Sequence, residues 1–331
     1  MRYRPLGSSG LSVSEIAFGA WGIGGKQWIG AKDAESLRAL RRAVDLGVNL
    51  LDTAWAYGDG HSEEVIGRFL RTLPRDRRPL VATKIPPKNF AWPASPTTRA
   101  RDIFPPAWIA ACTETSLRRL GVERVDLQQL HVFAAPWAAE DEWVGALDRL
   151  RRQGKIRCTG VSLTEHDPDS GLALVRDRLV DAIQVIYNIF DQAPARRLFP
   201  LAIENGVGIL ARVPLDEGGL TGTLTPGTVF PPGDFRRGYF HGRRLAATCR
   251  RVEALAPALL RGGVKTVAEG ALRFCLSHPA VSTVIAGMRT VRHLEANCRV
   301  SDGRTLPPAQ LRVLARHAWR RNYYTEWEKA D

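Results

Sequence analysis

Short unbroken apolar runs alternate along the chain with longer stretches in which apolar residues recur every three or four positions. Eight such runs stand out: Ile16-Ala17-Phe18-Gly19 and residues 49–53, 80–84, 125–131, 156–162, 182–187, 207–212 and 282–286. Strands covered on both faces read as continuous Val/Ile/Leu-rich runs, whereas half-solvated strands alternate, so the pattern predicts a parallel sheet. The intervening stretches predict helices. Asp33 precedes the stripe Leu37, Leu40, Ala43, Val44 as an expected cap, and Gly47 follows it as a stop. Ser62 stands likewise before Glu63-Glu64, Val65-Ile66 and Leu70, Pro105-Pro106 opens residues 108–120 before Gly121, and Gly154 closes residues 140–153. At the start, Gly7-Ser8-Ser9-Gly10 between Arg2-Tyr3-Arg4 and Leu11-Ser12-Val13-Ser14 predicts a hairpin. Residues 213–242, rich in Gly and Pro, predict a long loop, followed by helices from about 243 to 260 and 266 to 277 and a last one over 308–329.

Eight strand-helix units without a change of composition predict one domain over residues 1–331. Its class is α/β, a (β/α)8 TIM barrel with an N-terminal β-hairpin, a long loop after strand 7 and an extra C-terminal helix. A doubly wound sheet is the alternative. Gly22-Ile23-Gly24-Gly25 lacks the GxGxxG order of the dinucleotide-binding turn, and the repeat continues to eight, both of which favour the barrel. The formal charge of +13, from 47 Lys and Arg against 34 Asp and Glu, is dispersed along the chain. It predicts a solvated surface that attracts small anions rather than a nucleic-acid face. The five cysteines form no CxxC pair, which argues against a disulfide framework or a zinc site. No apolar run nears the ~18 residues of a membrane span, so a cytoplasmic protein is expected.

Active sites of β/α barrels lie at the C-terminal ends of the strands. Asp52 and Lys84 end the second and third runs, His131 ends the fourth, and Tyr57 follows Asp52 in its loop. Singly each has an ordinary reading as a turn, solvated or packing residue. Jointly they make a proton-transfer set: a lysine cation favours the phenolate of a tyrosine and lowers its pKa, so Tyr57 could protonate a carbonyl oxygen as hydride reaches the carbon. Asp52 would hold Lys84, and His131 would orient the carbonyl.

The segments around these residues resemble the aldo-keto reductase superfamily. They are Asn49-Leu50-Leu51-Asp52-Thr53-Ala54 with Tyr57-Gly58, Ala82-Thr83-Lys84, Ser116-Leu117-Arg118-Arg119-Leu120-Gly121, Val125-Asp126-Leu127 with Leu130-His131, Gly160-Val161-Ser162 and residues 184–188. The resemblance runs in order from Pro5 to about Asn297. It implies Tyr57 as general acid, Lys84 as its partner, Asp52 as the support of Lys84 and His131 as the carbonyl-directing residue. It also implies a bound NADPH, with NADH possible: Tyr187 stacking on the nicotinamide, Ser162 and Gln184 holding its carboxamide, Trp21 lining that region, Arg212, Pro214 and Leu215 approaching the pyrophosphate, and Gly287, Arg289, His293 and Asn297 at the adenosine end. The sequence departs from the family pattern at Leu163, where Asn often follows the serine, at Glu217, where a small residue is common, and at Ala296, where relatives carry an acid.

Aromatic residues are frequent in the expected mouth loops: Trp55, Phe90, Trp92, Phe133, Trp137, Phe230, Phe235, Tyr239 and Phe240. They predict an apolar pocket for a small-molecule carbonyl substrate. Two other readings stay open within the resemblance, a cofactor-binding regulatory subunit like those of potassium channels and a sugar or polyol dehydrogenase working in the oxidative direction.

Overall fold

The computed structural model describes residues 1–163 and 166–324. Strands β1 (Tyr3–Pro5) and β2 (Ser12–Ser14) pair antiparallel as the predicted hairpin. Eight further strands follow, β3 (Ile16–Gly19), β4 (Leu50–Asp52), β5 (Leu80–Ile85), β6 (Val125–Leu130), β7 (Ile156–Ser162), β8 (Ala182–Ile186), β9 (Gly208–Arg212) and β10 (Val281–Gly287). Each pairs in parallel with its neighbours, and β10 returns to β3, so the sheet closes into a barrel. Closure explains the unbroken apolar runs, because every strand has the barrel interior on one face and helices on the other.

Alternate residues of each strand separate two cores. Ala17, Leu50, Ala82, Leu127, Cys158, Ala182, Leu210 and Ile285 point inward and meet Leu6, Leu11 and Val13 of the hairpin, which plugs the end where the strands begin. Their neighbours face outward into a larger core shared with the helices Asp33–Asp45, His61–Arg71, Pro106–Leu120, Glu142–Arg152, Leu198–Asn205 and Val267–Leu276. The polar residues expected to cap two of these helices do other work. Asp33 is the first residue of its helix and binds His61 and Arg68, while Ser62 sits inside its helix and donates to the Ala20 carbonyl at 3.0 Å. Each thereby ties a helix to a neighbouring element instead of closing its own first turn.

The predicted last helix is shorter than expected. It spans Pro308–Leu314 and a 3-10 turn, after which residues 318–324 run back across the barrel mouth; the remainder of the predicted stretch, 325–329, lies outside the described residues. Tertiary contacts claim this strap. The Trp319 amide donates to Phe190 O at 2.8 Å, and the nearly buried Arg321 pairs with Asp216 and Asp191. No helix among the described residues is long and apolar enough to cross a membrane.

Candidate active site

The four residues expected to act together converge at the C-terminal ends of β4, β5 and β6. Lys84, fully buried, points inward from β5 and donates to Asp52 Oδ1 at 2.7 Å, to the Thr53 carbonyl at 2.8 Å and to the Tyr57 hydroxyl at 3.3 Å. All three ammonium protons are thus directed. Asp52 is held at its other oxygen as well, where Gln184 Nε2 donates at 2.8 Å from β8. Tyr57 reaches this layer from a tight loop. Gly58 has φ +62°, and a Cβ there would lie 1.9 Å from Gly24 O, so only glycine lets the loop after β4 press onto the loop after β3. The Tyr57 ring stacks against Trp21 at 6.0 Å and meets His131 edge-on at 5.6 Å.

The electrostatics correct one expectation. Burial pushes the Tyr57 phenol above its ordinary value, and the pull of Lys84 and of Arg212 in the other direction only offsets part of this. The lysine opposes desolvation rather than producing an unusually acidic phenol, and the tyrosine stays protonated at neutral pH. Lys84 stays cationic: burial disfavours its charge, but Asp52 and Tyr57 outweigh that and raise it. His131 is held well below the ordinary histidine value by burial, with Lys84 and Arg212 adding to it, so its imidazole is neutral. The site therefore presents a protonated phenol, an ammonium neutralised by a carboxylate, and a neutral imidazole. That set can donate protons to an oxygen without bringing net charge.

Residues expected around a cofactor divide into those at the mouth and one that is not. Trp21 lies at the mouth beside Trp28 and Phe235, and its Nε1 donates to Gln27 at 2.6 Å. Ser162 ends β7 in register with Gln184. Arg212 ends β9, donates to Leu163 O at 3.1 Å and acts on both Tyr57 and His131. Pro214 and Leu215 begin the following loop, in which Leu215 O accepts from Gly218 and Leu220. Gly287 ends β10 and accepts from Asn297 Nδ2 at 3.4 Å, Arg289 donates to Ile29 O at 3.0 Å, and the exposed His293 lies in the first turn of the helix Val291–Cys298.

Tyr187 does not face the mouth. Its ring packs against Phe199 at 4.8 Å and Phe274 at 5.4 Å, between barrel and helices. Gln184 points inward, and three residues further along a strand is the opposite face, so the expected stacking role has no geometric basis. Phe133 and Trp137 are likewise core residues, packed with Trp143 and Phe104. Trp92 meets His131 edge-on at 5.7 Å, and Trp55 and Phe90 stand beside it; these rings do line the mouth.

Three features of the mouth go beyond the sequence reading. Arg236 and Arg289 both lie over the Trp28 ring, at 4.5 and 5.6 Å, and bring two cations to the mouth. Glu217, at φ +53°, is buried beneath the strap and hydrogen-bonded by the Tyr324 hydroxyl; burial pushes it up to about 7. Gln129 points into the barrel beneath His131. Arg289 was already expected at the adenosine end and Glu217 as a departure from the family pattern, while Gln129 left only a polar pair, Gln128-Gln129, in an otherwise apolar run.

The closed β/α barrel is that of a family of oxidoreductases. The chain belongs to the aldo/keto reductase family, whose sequence profile, described as "Aldo/keto reductase family", matches residues 15–318. It is 30% identical over 301 residues to the aldo-keto reductase YhdN of Bacillus subtilis, covering 89% of this chain and 87% of that one. It is 29% identical over 314 residues to an NADH-specific methylglyoxal reductase of Escherichia coli, with 90% and 92% covered. Among solved structures it resembles the glycerol dehydrogenase AKR11B4 of Gluconobacter oxydans, with TM-score 0.76, 29% identity, and 95% and 94% covered.

Proposed function

We propose that the protein reduces aldehydes or ketones to alcohols with a reduced nicotinamide cofactor, NADPH in preference to NADH, and that Tyr57 is the general acid. One observation carries this reading: the Tyr57 hydroxyl lies 3.3 Å from an ammonium that Asp52 also holds, with a neutral imidazole alongside. The donor set suits a phosphate-bearing cofactor. The buried Trp28 indole N–H has no partner among the described residues, Arg236 and Arg289 both lie over its ring, and the exposed end of β10 leaves open space over Gly287. Trp21, Ser162, Arg212, Pro214, Leu215, Gly287, Arg289, His293 and Asn297 would hold such a cofactor, and Gln184 keeps its Oε1 to accept from a carboxamide. When bound, the cofactor supplies hydride to the carbonyl carbon.

The protein's own groups handle the oxygen. Tyr57 donates its proton as negative charge develops there, Lys84 stabilises the phenolate left behind, and His131 donates a hydrogen bond that fixes the carbonyl direction. Cation pairs at Arg289 and Arg236 favour the extra phosphate of NADPH. The E. coli relative is named for NADH and the Gluconobacter structure for a dehydrogenase, so cofactor choice and direction are read by assay. Tyr57→Phe should lower carbonyl-dependent NADPH oxidation by about 10²–10⁴-fold while the cofactor's dissociation constant, from fluorescence titration, stays within about twofold. Undiminished turnover in that variant would remove Tyr57 as the acid.

A further inference from the structure

Behind the quartet, outside the barrel wall, an ion pair joins two helices. Glu63 lies in the first turn of the helix His61–Arg71 and is fully enclosed. Arg119, from the last turn of the helix Pro106–Leu120, donates from Nη1 to Glu63 Oε2 at 3.3 Å. The carboxyl group is also tied to the barrel, where Thr83 Oγ1 donates to Oε1 at 2.7 Å, and Ser116 hydrogen-bonds it as well. Thr83 precedes Lys84 on β5, and successive strand side chains point to opposite faces. The residue that holds Glu63 outside the barrel therefore adjoins the one that meets Tyr57 inside it.

The guanidinium of Arg119 also grips the loop that carries Tyr57. Nη1 donates to the Trp55 carbonyl at 3.3 Å and Nη2 to the Asp59 carbonyl at 3.2 Å, so the two bonds bracket Tyr57. The group lies over the Trp55 ring at 4.7 Å, and a Cβ at Gly60 would come within 2.2 Å of its Cζ, so glycine there lets it seat against the loop. The Trp55 amide donates in turn to the Lys84 carbonyl at 3.1 Å. Apolar residues of similar volume often replace a buried ion pair without loss of stability, so what this pair adds is placement.

We propose that Arg119 and Glu63 form a clamp that sets the distance between the Tyr57 hydroxyl and the Lys84 ammonium. Both are positioning residues that act through Tyr57. The kinetic part of this inference rests on Tyr57 as the general acid; the hold on the loop does not.

The test compares the wild type with Arg119→Met, which keeps an unbranched stem and removes the forked donors. Amide hydrogen exchange over residues 55–62 should quicken about tenfold or more, with β8 and β9 across the barrel unchanged. In the same variant kcat for carbonyl reduction should fall about tenfold to a hundredfold. KM and the cofactor's dissociation constant should stay within about twofold, the split expected of a misplaced acid. Arg119→Lys keeps a cation for Glu63 but is a point donor facing two carbonyls, so its kcat should lie between the two. Unmoved exchange over residues 55–62 overturns the proposal, as does quickened exchange with wild-type kcat. Exchange quickened throughout the barrel, with kcat, KM and cofactor affinity all worsened, overturns it too, since the pair would then only support the fold. Should Arg119→Met not fold, Arg119→Lys decides by the same split, and wild-type kcat in it overturns the clamp. If the wild type reduces no carbonyl, the exchange data still decide whether the pair holds the loop, so failure of the proposed activity and failure of the clamp are read separately.

Discussion

At the level of single residues the site is organised by one carboxylate used twice. Asp52 accepts from Lys84 on one oxygen and from Gln184 on the other, so strands β4, β5 and β8 meet at its side chain. Lys84 has no solvent to turn to, and Asp52 is its anionic partner. Asp52→Asn keeps the shape and removes the charge. A buried cation deprived of its counter-ion costs about 3–5 kcal/mol, which urea denaturation at neutral pH should report. The sign of the pH dependence follows. In the variant the folded lysine falls below its unfolded value, so the unfolded chain binds more protons and stability rises with pH as that value is approached. The deficit relative to wild type should therefore shrink toward about pH 10; a deficit independent of pH would mean that lost packing, not uncompensated charge, is responsible.

Among the elements, strands were legible and their decorations less so. The apolar runs located each barrel strand to within a residue or two, because covering both faces leaves no alternation for a pattern to hide in. Asp52, Lys84 and His131 were legible for the same reason, as polar ends of apolar runs. Asp33 and Ser62 were misread because a polar residue before a helix satisfies either its own first turn or a neighbouring element, and the chain alone does not say which. Tyr187 was misread although its parity with Gln184 was available. The strap 318–324 was read as part of the last helix, because the contacts that draw it away, with Asp191, Asp216 and Glu217, are over a hundred positions away in sequence. That strap makes its own prediction. Tyr324, Asp216, Arg212 and Arg236 surround Glu217, and its pKa of about 7 lies above the ordinary carboxyl value. Its contribution to holding the loop is complete below the ordinary value and is lost as pH rises through about 7. Amide hydrogen exchange over residues 214–222, corrected for intrinsic rates, should show more frequent opening at about pH 8 than at about pH 5.5. Glu217→Gln should remove most of that difference.

For the whole molecule, the barrel separates the plug that stabilises it from the candidate site. The hairpin fills one end: Leu6 is fully enclosed, and a Cβ at Gly208 would lie 2.5 Å from its Cδ1, so the start of β9 is shaped around it. The quartet occupies the other end, and between them lies the inward layer that includes Leu50, Ala82, Leu127 and Leu210. Interiors packed this densely respond to a lost methyl group where it is lost, so Leu6→Ala should cost about 2–5 kcal/mol in denaturant midpoint analysis. The folded fraction should keep its kcat, KM and cofactor affinity, because the inward layer separates the plug from the mouth. A fall in kcat measured well below the unfolding transition would show that the hairpin end sets the geometry of Lys84 through the barrel, and that the two ends are mechanically one site.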